Sequence, residues 1–244
     1  MILEADVSWG SCGNLRETSI MAHPPHRKSD IAFTDFCRRV CKHNRDVEPS
    51  RRVGVKFDFK DGRCVEPCLT ILRELAGTEE TVGWPVFLNA DVWMGPGGNP
   101  PKILPSDFFA ACFDIYPAGT LSPGWTCWLQ FDGPSEAASR LLDPMLLEGY
   151  NLQHVEDALR TLPRGVGHVT FPVHCTMARV GSEAILKLLK ADDRFTLTLW
   201  GEAMPADDEW MYKTEELRGR VFRDCAKPGV LSYGLTIIPL LFQS

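Results

Sequence analysis

Glu4 and Asp6 stand two apart in the apolar run Ile2-Leu3-Glu4-Ala5-Asp6-Val7. In a strand, residues i and i+2 project from the same face. Two carboxylates side by side on a buried face repel each other and are costly to take out of water. A cation between them removes both costs. The plain alternative is a strand that ends at the surface with two solvated acids.

The pattern recurs. Val53-Gly54-Val55-Lys56-Phe57-Asp58-Phe59-Lys60 is a second strand-like run, with Lys56, Asp58 and Lys60 on one face. Pro85-Val86-Phe87-Leu88-Asn89-Ala90-Asp91 is a third, with Asn89 and Asp91 on one face. Each is apolar first and polar last, so three strands are expected to deliver polar groups at their C-terminal ends. In α/β proteins, sites are built there. The run Ile20-Met21-Ala22-His23-Pro24-Pro25 predicts a short strand that delivers His23 and then stops, because the prolines fix the backbone. An imidazole held there suits proton transfer near neutral pH; a surface-loop histidine is the alternative. No motif supports His26 in such a role, and His43, His154, His168 and His174 read as core or surface residues.

These groups need a scaffold. Strands are expected near 2–7, 53–59, 85–91, 120–129, 167–173, 195–200 and 230–238. Pro123-Gly124 implies a bulge or an edge position in the fourth. Between the strands, the spacing predicts helices from Ile31 to about Lys42, capped by Ser29-Asp30, and over 66–76, 105–113 (capped by Ser106), 143–162, 181–189 and 215–224. Ser8 to Ser19, rich in Gly and Ser, reads as a loop. Met94 to Pro101 reads as a βα loop over the site, because it lacks the Gly-Lys-Ser/Thr ending of a phosphate loop. Seven alternating units suggest an α/β fold: a (β/α) barrel lacking one unit, or an open doubly wound sheet.

Bulk properties narrow the class. The chain has 244 residues, 44% hydrophobic and 24% charged, enough for one globular domain with a large core. A net charge of -6 argues against a general nucleic-acid binder. No apolar run reaches the ~20 residues of a membrane span, and no signal peptide is read at the N-terminus. Nine cysteines include the i,i+4 pairs Cys37/Cys41 and Cys64/Cys68. Buried free thiols are expected in preference to a zinc site, which shows tighter Cys-x-x-Cys knuckles or added His.

Taken together, Leu3-Glu4-Ala5-Asp6-Val7, Ile20-Met21-Ala22-His23-Pro24-Pro25, Lys56-Phe57-Asp58-Phe59-Lys60 and Leu88-Asn89-Ala90-Asp91 resemble the menorin family. Gly124-Trp125-Thr126 and Leu197-Thr198-Leu199-Trp200 look like later family motifs, and the similarity spans roughly residues 2 to 210. That family is similar to the phospholipase-C-like phosphodiesterases, which include glycerophosphodiester phosphodiesterases and are TIM-type barrels with a divalent cation at the strand ends. The resemblance implies that Glu4, Asp6 and Asp58 are metal ligands for Mg²⁺ or Ca²⁺, with Mn²⁺ possible as a third choice of hard cation. It implies that His23 and Lys60 are catalytic and that Trp200 lines the substrate mouth. Asn89 and Asp91 follow the menorin pattern as substrate-binding residues. It also implies a first strand carrying a histidine upstream of Glu4, so the barrel is expected to lack its first β/α unit. A phosphodiester small molecule or lipid head group is the implied ligand of an enzyme. The alternative is a non-catalytic menorin-type binding protein with cell-surface protein partners; either compartment, extracellular or cytoplasmic, is compatible.

Overall fold

A computed structural model describes residues 1–76, 84–127, 148–201, 221–223 and 235–238. The chain is a mixed α/β protein with a mostly parallel sheet, and it divides into two compact units. The first comprises Met1–Ala90, Ser106–Ser122 and Asp224–Ser244; the second comprises Asp91–Pro105 and Pro123–Arg223.

The first unit is built on β1 (Ile2–Cys12), β2 (Leu15–Met21), β3 (Lys28–Ser29), β4 (Gly54–Phe59), the Val86–Ala90 part of β5 (Val86–Met94) and the start of β6 (Thr120–Thr126). β10 (Leu235–Ile238) pairs with β1 antiparallel, while β4 and then β5 follow in parallel. The helices are α1 (Phe33–Asp46), α2 (Val65–Ala76) and α3 (Pro105–Ile115). Alternation along β4 explains how it serves core and site together. Phe57 packs against Phe33 and Phe36 of α1, with ring centroids 4.7 and 6.0 Å apart. Phe59 meets Phe108 of α3. The intervening Lys56 and Asp58 therefore project from the opposite face. All six residues of β4 are buried, so both faces are covered. α2 turns Val65, Cys68, Leu69 and Leu72 inward; of the apolar face expected from spacing, Leu69, Leu72, Leu75 and Ala76, the last two fall short, with Leu75 half-buried and Ala76 exposed.

The second unit holds the end of β5, the end of β6, β7 (Val169–His174), β8 (Phe195–Trp200) and β9 (Val221–Arg223), with β7, β8 and β9 parallel. Its helices are α4 (Leu152–Thr161), α5 (Cys175–Val180) and α6 (Ser182–Ala191). Its core is aromatic: Trp125 lies 5.0 Å from Trp93, 5.5 Å from Tyr150 and 5.8 Å from Phe171, centroid to centroid.

Several expectations change. Ser8–Ser19 is not a loop. β1 continues to Cys12, and β2 returns antiparallel with Cys12 opposite Leu15. The two-residue turn Gly13-Asn14 closes this hairpin, with Gly13 at φ 56°, a turn signal that the Gly/Ser content concealed. Ser29 does not cap α1. The helix begins after Ala32, and Ser29 Oγ instead donates to Met21 O and accepts from Ile31 N. Ser106 lies inside α3, one residue after its start, so it is no cap. Of the helix expected over 143–162, residues 148–151 are not helical and 143–147 lie outside the described residues. Asn151 caps α4 in a box with His154, which stops the helix from extending further back. Of the helix expected over 215–224, Val221–Arg223 is a strand instead, since pairing with β8 overrides local propensity; the rest lies outside the described residues. Pro123 interrupts nothing: β6 is continuous and has neighbours on both sides. Among the described residues, the hydrogen-bonded order runs from β10 to β9 without closing.

Eight cysteines carry free thiols among the described residues, and all but the half-buried Cys12 are buried. No helix among the described residues is long and apolar enough to cross a membrane.

Candidate functional site

The first unit gathers most of the polar groups singled out above. β1 and β4 run parallel with Glu4 opposite Lys56 and Asp6 opposite Asp58, and Asp58 is opposite Asn89 on β5. Register alone therefore stacks Glu4, Asp6, Lys56, Asp58 and Asn89 on one face. Lys60 follows directly after β4, and its N–H donates to Val7 O at 2.9 Å, which keeps it beside Asp6.

The cluster is bound by charge. Lys56 Nζ donates to Glu4 Oε1 at 3.1 Å, and the two side chains are 4% and 16% exposed. Lys60 Nζ lies 2.6 Å from Asp58 Oδ2 and 3.5 Å from Asp6 Oδ1. Two ammonium groups thus serve three carboxylates, and one acid too many remains. That imbalance shows in the titration of the aspartates. Burial pushes Asp6 up to about 6; Lys60 and His23 pull it down, while Asp58 and Glu4 push it further up. Burial opposes the charge of Asp58 as well, but the ammonium groups of Lys60 and Lys56 outweigh it and hold that carboxyl below its ordinary range.

Two oxygens are left over. Glu4 Oε2 and Asp58 Oδ1 are buried without a hydrogen-bond partner. The Asn89 amide favours the charged form of Asp58, yet makes no bond of good geometry to Oδ1. Asn89 instead accepts from Ser122 Oγ at 2.9 Å through its own Oδ1. Buried acceptors of this kind carry a desolvation cost that a donor or a cation relieves. Among the described residues, no three His, Cys, Asp or Glu side chains are placed so that together they could hold a metal ion; Glu4, Asp6 and Asp58 are spread along two strands with lysine ammonium groups between them.

His23 is exposed and near enough to Asp6 to affect its titration. Its backbone is anchored because the preceding N–H, at Ala22, donates to Asp6 O at 3.1 Å. Its Nδ1 lies 2.6 Å from Pro24 O. If Nδ1 carries the proton, Nε2 is the free lone pair.

Asp91 and Trp200 belong to the second unit, separate from Asn89 although Asp91 is only two residues further on. Asp91 is half-buried, and its charge adds to the burial that raises the Tyr150 phenol. Trp200 ends β8 opposite His174, which ends β7, and the rings meet edge to face at 4.9 Å. Tyr150 Oη accepts from His174 N at 3.3 Å. Gly201, at φ 95°, leaves room for that imidazole, since a Cβ there would collide with the His174 ring. His174 is 4% exposed. Its place in a polar strand end was missed, because Val169–His174 reads as an apolar run with one terminal histidine. Lys56 was visible on the site face, but its tie to Glu4 needs the cross-strand register. Ser122, between Leu121 and Pro123, gave no signal at all.

A mostly parallel α/β scaffold with charged groups gathered on adjacent strands defines the class. The family model for the menorin N-terminal domain matches residues 1–225, and the chain belongs to the menorin family. Human Protein FAM151B is 31% identical over 199 residues, which cover 82% of this chain and 64% of that protein. The chain therefore spans somewhat under two thirds of the length of this curated relative. No solved structure matches.

Proposed function

We propose that the Glu4–Asp6–Asp58 cluster is the centre of a metal-dependent phosphodiesterase, acting on a phosphodiester of the glycerophosphodiester or phospholipid head-group type, on a scaffold of the TIM-barrel kind. The observation that carries this reading is the pair of orphaned buried oxygens, Glu4 Oε2 and Asp58 Oδ1, beside an aspartate that burial has pushed up to about 6. The donor set is all carboxylate oxygen, which suits Mg²⁺ or Ca²⁺, or Mn²⁺. Glu4, Asp6 and Asp58 would hold the ion. When bound, it supplies Lewis-acid stabilisation to the phosphoryl oxygens.

The chain's own residues have distinct tasks. Lys60, which stands between Asp6 and Asp58, would turn its ammonium to a phosphate oxygen of the substrate. Lys56 holds Glu4 by one oxygen, leaving the other for the ion. His23 moves the proton through Nε2 while Pro24 O orients the ring. Asn89, opposite Asp58 on the neighbouring strand, is substrate-binding in this reading.

A second reading has its own observation. Each of the three carboxylates already has a lysine partner, and these pairs hold β1 against β4 with no added ligand. In that case the chain is a binding protein with protein partners at the cell surface. Hydrolysis of a phosphodiester panel with Mg²⁺, Mn²⁺ or Ca²⁺ separates the two. The enzyme reading expects turnover that His23→Ala and Asp58→Asn each reduce about 10²-fold or more. Equal rates for all three proteins would remove it.

A further inference from the structure

β1 carries Ser8 two positions beyond Asp6, on the face that bears Glu4 and Asp6. Ser8 is 5% exposed, and its Oγ donates to Ala22 O at 2.7 Å. That carbonyl belongs to the same rigid peptide plane as the His23 nitrogen, so the bond fixes the plane that enters His23. The plane that leaves His23 is held too, because His26 N donates to His23 O at 3.1 Å. Both flanks of an exposed histidine are therefore tied down. The segment is also pinned to β1 at its feet. Ala22 N donates to Asp6 O at 3.1 Å, and Ser11 N donates to Arg27 O at 2.9 Å. Gly10 permits that close return, since a Cβ there would strike Arg27 O.

A histidine in an exposed loop ordinarily samples many orientations. The feet fix where this segment begins and ends, but they leave the Ala22–His23 peptide free to rotate. Ser8 supplies that restraint from a strand, the rigid part of the scaffold. The His23 ring needs it. Its Nδ1 lies 2.6 Å from Pro24 O, and a carbonyl only accepts, so Nε2 is presented as the lone pair while the backbone keeps this course. We infer that Ser8 is the positioning residue for His23: its hydroxyl holds the peptide that carries the imidazole, and so sets the direction of Nε2. This rests on the reading of His23 as the group that moves the proton. The Ser8 side chain is buried and its proton is committed to Ala22 O, so it acts through His23 and does not touch the substrate. Ser29 provides a contrast. Its Oγ donates to Met21 O at 2.9 Å, one peptide earlier, and that peptide has a second tie through Ala22 N to Asp6 O.

The test reads the imidazole directly. NMR of the histidine ring carbons and nitrogens, recorded above the pH at which the rings titrate, reports tautomer and order, and His23→Asn assigns the resonance. Wild-type His23 is expected to hold the Nδ1–H tautomer with one sharp signal. Ser8→Ala should move that signal towards the averaged tautomers of an unrestrained histidine. Ser8→Thr, which keeps the hydroxyl, should restore it, and Ser29→Ala should leave it in place. The signals of His154 and His168, far along the chain, should stay fixed in every variant and so report an intact fold. Hydrolysis of bis(p-nitrophenyl) phosphate with Mg²⁺ is followed alongside. There Ser8→Ala should lower kcat about ten- to a hundredfold with little change in KM, and Ser8→Thr should recover most of it. A wild-type ring that already averages its tautomers overturns the inference without any variant. A His23 signal indifferent to Ser8→Ala, or one that Ser29→Ala shifts equally, overturns it as well. A Ser8-dependent signal with no turnover of this compound or of the phosphodiester panel supports the positioning of His23 and overturns the phosphodiesterase reading.

Discussion

Asp6 and Asp58 occupy the same register position on adjacent parallel strands, and the ammonium of Lys60 reaches both, at 3.5 and 2.6 Å. One cation between two buried acids leaves them unequal. Asp58, the nearer, stays charged below the usual carboxylate range, and Asp6 is pushed up to about 6. The pair is set to accept either a proton or a second cation.

The first prediction concerns pH. Asp6 has a higher pKa folded than its ordinary 3.8, so between about pH 4 and 6 the native state binds more protons than the unfolded chain. Its contribution to stability is complete below the unfolded value and is lost as pH rises through 6. The whole effect is of order 3 kcal/mol at most. Asp58 acts in the opposite sense, stabilising above its unfolded value and losing that contribution as pH falls below it. Urea denaturation of the wild type and Asp6→Asn at pH 4.5, 5.5 and 6.5 should show their difference changing steadily through this range. A constant difference would contradict the assignment.

Removal of Lys60 is the second. Lys60→Met leaves two buried carboxylates facing each other, and the expected loss at pH 7 is about 3–5 kcal/mol. The loss should shrink at pH 5, where Asp6 takes up a proton. Millimolar Mg²⁺ should restore part of the melting temperature of this variant, because the ion replaces the missing charge. A melting temperature blind to Mg²⁺ would speak against a cation site.

Asn44 gives a third prediction. It lies buried in α1, donates from Nδ2 to Val53 O and accepts from Val53 N through Oδ1, both at 2.8 Å. The side chain thereby supplies both hydrogen bonds of the residue that leads into β4. Asn44→Ala orphans a buried N–H and a buried carbonyl and should cost about 2 kcal/mol or more. Asn44→Asp keeps only the acceptor and should recover little. Denaturant midpoints read both.

The fourth concerns the second unit. Gly201→Ala places a methyl group into the His174 ring and asks an L-residue to hold φ 95°. The expected cost is about 1–3 kcal/mol. Because His174 meets Trp200 edge to face, the tryptophan fluorescence should also shift. An unchanged spectrum with full stability would show that the ring has room to move.

Much of this was legible in the residues. The alternation of acids and apolar side chains in Ile2–Val7 and Val53–Lys60 identified both strands and their shared polar face, because a strand that serves a core on one side must place Lys56 and Asp58 on the other. What stayed hidden depends on partners far away in sequence. Lys60 bridges two acids only once β1 and β4 are aligned. The tie between Lys56 and Glu4 is a contact across 52 positions. The hairpin through Gly13-Asn14 was obscured because its strands carry Ser, Gly and Thr in place of a clear apolar face, and Val221–Arg223 became a strand through its neighbour β8. His174 and Ser122 look ordinary until their rings and hydroxyls are placed against Trp200 and Asn89.

The ion pairs between β1 and β4 also act as a proofreading key. If β1 slid one position along β4, Glu4 would turn to the helix-facing side among Phe33 and Phe57, and the Lys56 ammonium would be stranded without its acid. Apolar residues alone tolerate such errors, because Leu3, Ala5, Val55 and Phe57 could settle against one another in more than one way. The charged rungs remove that tolerance, so misaligned chains unravel and try again.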